Sequence, residues 1–146
     1  MIDTTARTIT TSRLLDAPQS VVWEAWTDPA KLAKWWGPNG FTNTIKRFEP
    51  QQWGRFDLMM HGPDGTDYRN ESHFTEFVPK ERLAYRHETA PKFVATVTFE
   101  ARGAQTLLTM SSRFDTDQAY ESAVEVFGAV QGAEETLERF VIYMEG

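Results

Sequence analysis

The segment 13–38 constrains the fold of this chain more than any other stretch, because it contains two helix starts close together. Ala17-Pro18 ends an extended run, and proline suits the first turn of a helix. Thr27-Asp28-Pro29 then restarts the chain, with Asp28 as an N-cap residue and another proline behind it. Gly37-Pro38 stops the second helix. The segment therefore predicts two short helices over 18–35.

Four tryptophans belong to these helices. Trp23 and Trp26 fall on the apolar face of the first helix, and we interpret them as core residues because packing is the commonest use of aromatic side chains. Trp35 and Trp36 adjoin the helix stop. At least one of the second pair is expected to line the mouth of a ligand space.

The rest of the chain predicts an antiparallel sheet followed by one long helix. Residues 6–15 alternate like an edge strand, and from about 41 to 113 the apolar period is 2, with turn residues between short runs. Helical spacing returns over 117–144, a length of roughly 40 Å. Gly128 and Gly132 interrupt that helix at a cost of about 1 kcal/mol each. They predict a close approach of helix and sheet, a kink, or room for a ligand between helix and sheet.

Composition narrows the function classes. A chain of 146 residues suits a single domain over 1–146. The net charge of −6 and the pI of about 5.1 disfavour a nucleic-acid partner. The chain has no cysteine, no apolar run long enough to span a membrane and no apolar signal segment near Met1, so we expect a cytoplasmic protein without a disulfide framework.

The sequence offers no catalytic motif and predicts no cofactor. It lacks a glycine-rich phosphate loop and a Gly-x-Ser-x-Gly elbow. The three histidines, His61, His73 and His87, do not have metal-ligand spacing, so no metal site is predicted. His87 shares a strand face with Leu83 and Tyr85, which places it toward the core as a polar anchor, as an acid or base, or as a structural histidine with satisfied hydrogen bonds.

The order of several short motifs resembles one known family. Val22-Trp23, Trp35-Trp36-Gly37-Pro38 and Pro79-x-Glu81-Arg82-Leu83 stand in the order and spacing of activator of Hsp90 ATPase homologue 1-like proteins, a branch of the START-like, Bet v 1-like (SRPBCC) superfamily. The resemblance implies an α+β helix-grip fold, in which a curved antiparallel sheet wraps around a long C-terminal helix. Gly132-Ala133 departs from the family pattern, where Gly-Trp is expected.

The resemblance implies no universal catalytic residue and leaves three functions open. The first is binding of a small hydrophobic or amphipathic molecule between sheet and helix. The second is a cyclase-type or hydrolase-type enzyme with His87 as base and Tyr85 as hydrogen-bond donor. The third is interaction with a chaperone, or homodimer formation through exposed aromatic residues.

Strand parity and helix spacing select the residues expected to contact a ligand. They are Trp36, Phe56, Leu58, Met60, Tyr85, His87, Val97, Met110, Phe127 and Leu137.

Overall fold

The computed structural model describes residues 2–3 and 7–146. Met1 and residues 4–6 lie outside the described residues. They belong to the segment interpreted as lacking a signal peptide, and residue 6 is the first of the predicted strand 6–15. The described part contains one antiparallel sheet, in the order β1-β2-β8-β7-β6-β5-β4-β3. Its strands are β1 (Ile2–Asp3), β2 (Thr8–Leu15), β3 (Thr42–Phe48), β4 (Arg55–His61), β5 (Asp67–Val78), β6 (Arg82–His87), β7 (Phe93–Arg102) and β8 (Gln105–Phe114).

The predicted edge position of the first long strand needs a small correction. The outer side of β2 pairs with β1, although only at Thr10 and Thr11. Beyond those two pairs β2 has no further strand on that side among the described residues, and its other side pairs with β8 along its whole length.

The two predicted short helices are α1 (Gln19–Thr27) and α2 (Pro29–Trp35). The Asp28 carboxylate accepts a hydrogen bond from the backbone N–H of Ala30 at 2.9 Å, so Asp28 caps α2 as predicted. Pro18 takes the N-cap position of α1, and no side chain forms a capping hydrogen bond there.

The predicted C-terminal helix is two helices, α3 (Asp117–Glu125) and α4 (Ala129–Glu145). Gly128 separates them in a left-handed conformation, with φ of 61°. Glycine adopts that conformation without a steric penalty from a Cβ atom. The prediction of one continuous helix over 117–144 is therefore wrong at Gly128. Of the two glycines, Gly132 lies inside a helix.

The helices pack on the concave face of the sheet. α1, α2 and the second half of α4 cover one end, where Trp35, Leu137 and Phe140 are almost wholly buried. The indole N–H of Trp35 donates to the Ala25 carbonyl at 3.1 Å, which ties α2 to α1. Among the described residues no helix combines the length and the apolar character that a bilayer span requires.

Candidate functional site

A pocket of about 250 Å³ lies between the concave face of the sheet and the helices α3 and α4. Its walls are mainly apolar, with a few polar side chains on the sheet side. The lining residues are Ile9, Trp36, Gly37, Pro38, Phe56, Leu58, Met60, Asn70, Ser72, Tyr85, His87, Pro91, Phe93, Met110, Ser112, Phe114, Ala123, Phe127, Ala129, Gly132, Ala133 and Thr136.

The register of the sheet explains why polar groups meet in this wall. Two adjacent cross-strand rows form much of the pocket floor. The first row is Phe56, Ser72, His87, Phe93 and Phe114, and the second is Phe74, Tyr85, Ala95, Ser112 and Ile9. Ala95 separates Tyr85 from Ser112, so the two hydroxyl-bearing residues lie two strands, or about 10 Å, apart.

The helix side of the pocket consists largely of small residues. Ala123 of α3 and Ala129, Gly132 and Ala133 of α4 face the floor. A Cβ atom placed on Gly132 would meet nothing within 4 Å, so open space lies beside this part of α4. The pocket volume therefore arises because α4 carries small side chains where it crosses these two rows.

His87 is buried and held at both ring nitrogens. Its Nδ1 lies 2.9 Å from the Pro91 carbonyl, and its Nε2 lies 2.7 Å from the side-chain amide of Asn70 and 3.2 Å from the hydroxyl of Thr89. The ring stacks on Phe93 with centroids 4.5 Å apart. Burial lowers the pKa of His87 from its ordinary value, even though the bonds at Pro91 and Thr89 act in the opposite direction.

The lowered pKa makes the neutral imidazole the form present at neutral pH. In that form the ring carries one N–H, and the oxygens within hydrogen-bond distance are the Pro91 carbonyl at Nδ1 and, at Nε2, Asn70 Oδ1 and the Thr89 hydroxyl. Asn70 presents Oδ1 to Nε2, because its Nδ2 donates to the Tyr68 carbonyl at 3.1 Å. Both ring nitrogens are thus engaged within the protein.

Three hydroxyl groups of the wall, those of Ser72, Tyr85 and Ser112, have no such hydrogen-bond partner among the described residues. Tyr85 is 6% exposed, Ser72 is 1% exposed and Ser112 is half-buried. None of their hydroxyl oxygens is a fully buried atom left without a partner, because the atoms of that kind among the described residues are Trp26 Nε1 and Asn43 Oδ1. Burial raises the pKa of the Tyr85 phenol well above its ordinary value, so it stays neutral. All three residues line the pocket, so their hydroxyl groups are open to a molecule inside it.

The loop after α2 forms part of the rim and is bonded to α4. The Arg139 guanidinium donates from Nη1 to the carbonyls of Trp36, Gly37 and Pro38 at 3.2, 2.9 and 2.8 Å, and from Nη2 to the carbonyl of Phe41 at 3.1 Å. Arg139 therefore ties the loop to α4, together with Glu135, whose carboxylate accepts from the backbone N–H of Asn39 at 3.0 Å.

Phe127 forms a different part of the rim. It follows α3 and lines the pocket, yet it is 56% exposed. Its neighbour Val126 is 72% exposed. The junction between α3 and α4 thus presents apolar side chains to solvent beside the pocket.

The structure brings together eight of the ten residues selected from the sequence. The eight that line the pocket are Trp36, Phe56, Leu58, Met60, Tyr85, His87, Met110 and Phe127. Val97 and Leu137 are fully buried in the core and do not line it. Both point toward the space between sheet and helix, but they lie at the end that α1 and α2 fill with aromatic side chains.

Sequence reasoning missed most of the polar wall. Asn70 and Ser72 share strand parity with Phe74, which gave a usable signal. Phe93 and Ser112 were also marked by parity, since they lie on inward-facing positions of β7 and β8. The helix-side residues Ala123 and Ala129 carried no signal, because small side chains are common on any helix face.

The remaining two histidines lie away from the pocket. His61 contacts Asp67 and Thr44, and His73 contacts Glu88. Within residues 2–3 and 7–146, no group of three His, Cys, Asp or Glu side chains is placed to hold a metal ion.

Comparison with known proteins identifies the relatives of the chain. The family model described as Activator of Hsp90 ATPase homolog 1-like protein matches residues 16–145. No curated protein matches significantly.

Solved structures share the fold. A protein from Arthrobacter aurescens is 25% identical, with a TM-score of 0.91 over 99% of this chain and 91% of that one. Protein Ms6760 from Mycobacterium smegmatis is 21% identical, with a TM-score of 0.85 over 97% and 94%. The AHSA1 protein from Silicibacter pomeroyi is 16% identical, with a TM-score of 0.77 over 94% and 97%. These similarities establish the helix-grip fold.

Proposed function

Because the chain belongs to the family of activator of Hsp90 ATPase homolog 1-like proteins, we propose that it binds a small hydrophobic or amphipathic molecule in the pocket between the sheet and α4. The observation that carries this proposal is the pocket itself, with apolar walls and few polar groups. Ligand sites generally combine mostly apolar walls with a small number of placed polar groups. The volume of about 250 Å³ suits a small molecule.

Ala133 offers a direct test, because it lines the pocket and stands where the family resemblance expects tryptophan. Replacing Ala133→Trp should fill the space below α4 while keeping the fold. We expect binding of the neutral fluorescent probe N-phenyl-1-naphthylamine to weaken by at least about tenfold, which corresponds to about 1.4 kcal/mol. Fluorescence titration measures the dissociation constant, and circular dichroism checks the fold.

Gln131→Trp is the matched control, since residue 131 is exposed on the same helix and does not line the pocket. It should bind the probe as the original protein does. Equal probe affinity in Ala133→Trp and in the original protein would contradict binding in this pocket.

The contacts at both nitrogens of His87 support a structural histidine rather than a general base. They therefore favour binding over the cyclase-type or hydrolase-type alternative. Turnover that His87→Ala abolishes without loss of fold would reverse this preference. Chaperone interaction, homodimer formation and a cytoplasmic location stay predictions.

A further inference from the structure

We propose that the pocket selects an uncharged aromatic molecule carrying a hydroxyl or carbonyl group, which bonds to the hydroxyls of Tyr85 and Ser72. This inference rests on the proposed function and specifies its ligand class. It follows from three properties of the wall: its hydroxyl groups without a protein partner, its lack of charge and its aromatic content.

The unpaired hydroxyls call for a polar partner. A hydroxyl group that faces a pocket and has no protein partner bonds water, and a ligand that displaces this water without replacing the hydrogen bond loses affinity. Tyr85 and Ser72 have no such partner among the described residues, and both line the pocket. Ser72 pairs with His87, and Tyr85 pairs with Phe74, so Ser72 and Tyr85 are diagonal neighbours on strands β5 and β6. A ligand hydroxyl or carbonyl bonded to them would supply the missing contacts.

The wall disfavours a charged ligand. Among the described lining residues there is no Lys, Arg, Asp or Glu. His87 does not supply a positive charge at neutral pH, because its burial disfavours the imidazolium form. Arg139 is the cation behind the rim, and its Nη1 and Nη2 donate to four backbone carbonyls of the loop. A carboxylate inside the pocket would therefore lose water without gaining a counter-charge.

The wall favours an aromatic ligand. Five of its side chains are Trp or Phe: Trp36, Phe56, Phe93, Phe114 and Phe127. Aromatic rings pack with favourable offset-stacked or edge-to-face geometry. Met60 and Met110 add thioether groups, which make favourable contacts with ring edges.

Three probes of similar size and shape test the proposal: naphthalene, 2-naphthol and 2-naphthoate. Isothermal titration calorimetry at pH 7 compares them, since 2-naphthol is then neutral and 2-naphthoate is ionised. We expect 2-naphthol to bind roughly tenfold more tightly than naphthalene, as one net hydrogen bond gives. We expect 2-naphthoate to bind more weakly than naphthalene.

Tyr85→Phe and Ser72→Ala remove the two hydroxyls with little change of shape. In the double variant the affinity ratio of 2-naphthol to naphthalene should fall from roughly ten to about one. The ratio is insensitive to a general loosening of the fold, which affects both probes. Tyr143→Phe is the control, because Tyr143 does not line this pocket, and it should leave the ratio unchanged.

The outcomes separate the two proposals. Binding of 2-naphthoate as tight as that of 2-naphthol, or an unchanged ratio in the double variant, overturns the ligand class and leaves hydrophobe binding standing. Failure of naphthalene and both derivatives to bind overturns the proposed function.

Discussion

The two ends of the space between sheet and helices differ in how they are filled. We call the end under α1, α2 and the second half of α4 the packed end, and the end under α3 and the first half of α4 the hollow end. At the packed end Trp26, Trp35 and Phe140 meet with ring centroids 4.5 to 5.9 Å apart. At the hollow end the same sheet faces Ala123, Gly132 and Ala133 across a pocket.

A single helix carries both patterns. α4 presents Gly132 and Ala133 to the hollow end, then Leu137 and Phe140 to the packed end one to two turns later. Apolar burial stabilises a fold in proportion to the area removed from water. The packed end should therefore contribute most of the stability, and the hollow end is free to contribute binding.

The largest expected effect is the loss of Phe140. Its side chain is fully buried against Trp35 and Trp26. Phe140→Ala should lower the free energy of unfolding by about 3–5 kcal/mol, because it removes buried area and leaves a cavity. Urea denaturation measures the change.

Phe127→Ala is the matched truncation at the hollow end. This side chain is 56% exposed, so its loss should lower the free energy of unfolding by less than about 1 kcal/mol. Equal losses in the two variants would break the distinction between packed and hollow ends.

Arg139 joins the two ends, and its removal should have an intermediate effect. Arg139→Met deletes the hydrogen bonds to the loop 36–41 and should lower the free energy of unfolding by about 1.5–3 kcal/mol. Arg139→Lys should recover only part of this loss, since an ammonium group lacks the planar fork of donors. Thermal unfolding of the two variants gives the comparison.

Arg102→Met serves as the control, because Arg102 forms an exposed pair with Glu100. Exposed ion pairs contribute little, so this variant should unfold like the original protein. A similar loss in Arg102→Met and Arg139→Met would argue against a special role for the loop contacts.

The smallest effect concerns His87 and pH. Because burial lowers the pKa of His87 below its ordinary value of 6.5, the unfolded chain takes up this proton first as the pH falls. The contribution of His87 to stability should be complete above pH 6.5 and should be lost between pH 6.5 and the lowered pKa. Urea titrations at several pH values should show a flatter pH dependence in His87→Gln than in the original protein.

Much of the fold and the sheet side of the site could be predicted from sequence. Uninterrupted alternation in β4 and β6 put Phe56, Leu58, Met60, Tyr85 and His87 on the inner face. The register shift of β5 lies between Phe74 and Glu76, beyond its pocket-lining residues, so the parity of Ser72 was preserved.

Whether an inward-facing residue lies at the packed end or at the hollow end could not be predicted in the same way. Val97 has the inward parity of Tyr85, yet α1 and α2 cover its end of the sheet. Leu137 has the helical spacing of Ala133, but it lies one turn farther along α4, over the packed end. Strand parity and helical period specify which face of an element a residue occupies. Whether that residue lines the pocket or the packed core depends on which distant element covers its end of the sheet.

The break at Gly128 bears on how chains of this kind can vary. In an unbroken helix, one inserted residue would rotate every later side chain by about 100° and would turn Leu137 and Phe140 away from the sheet. Residues 126–128 are not helical, so a change in the length of this junction does not rotate the side chains of α4 relative to the sheet. Changes of length at this junction should therefore reshape the entrance to the pocket without disturbing the aromatic cluster at the other end.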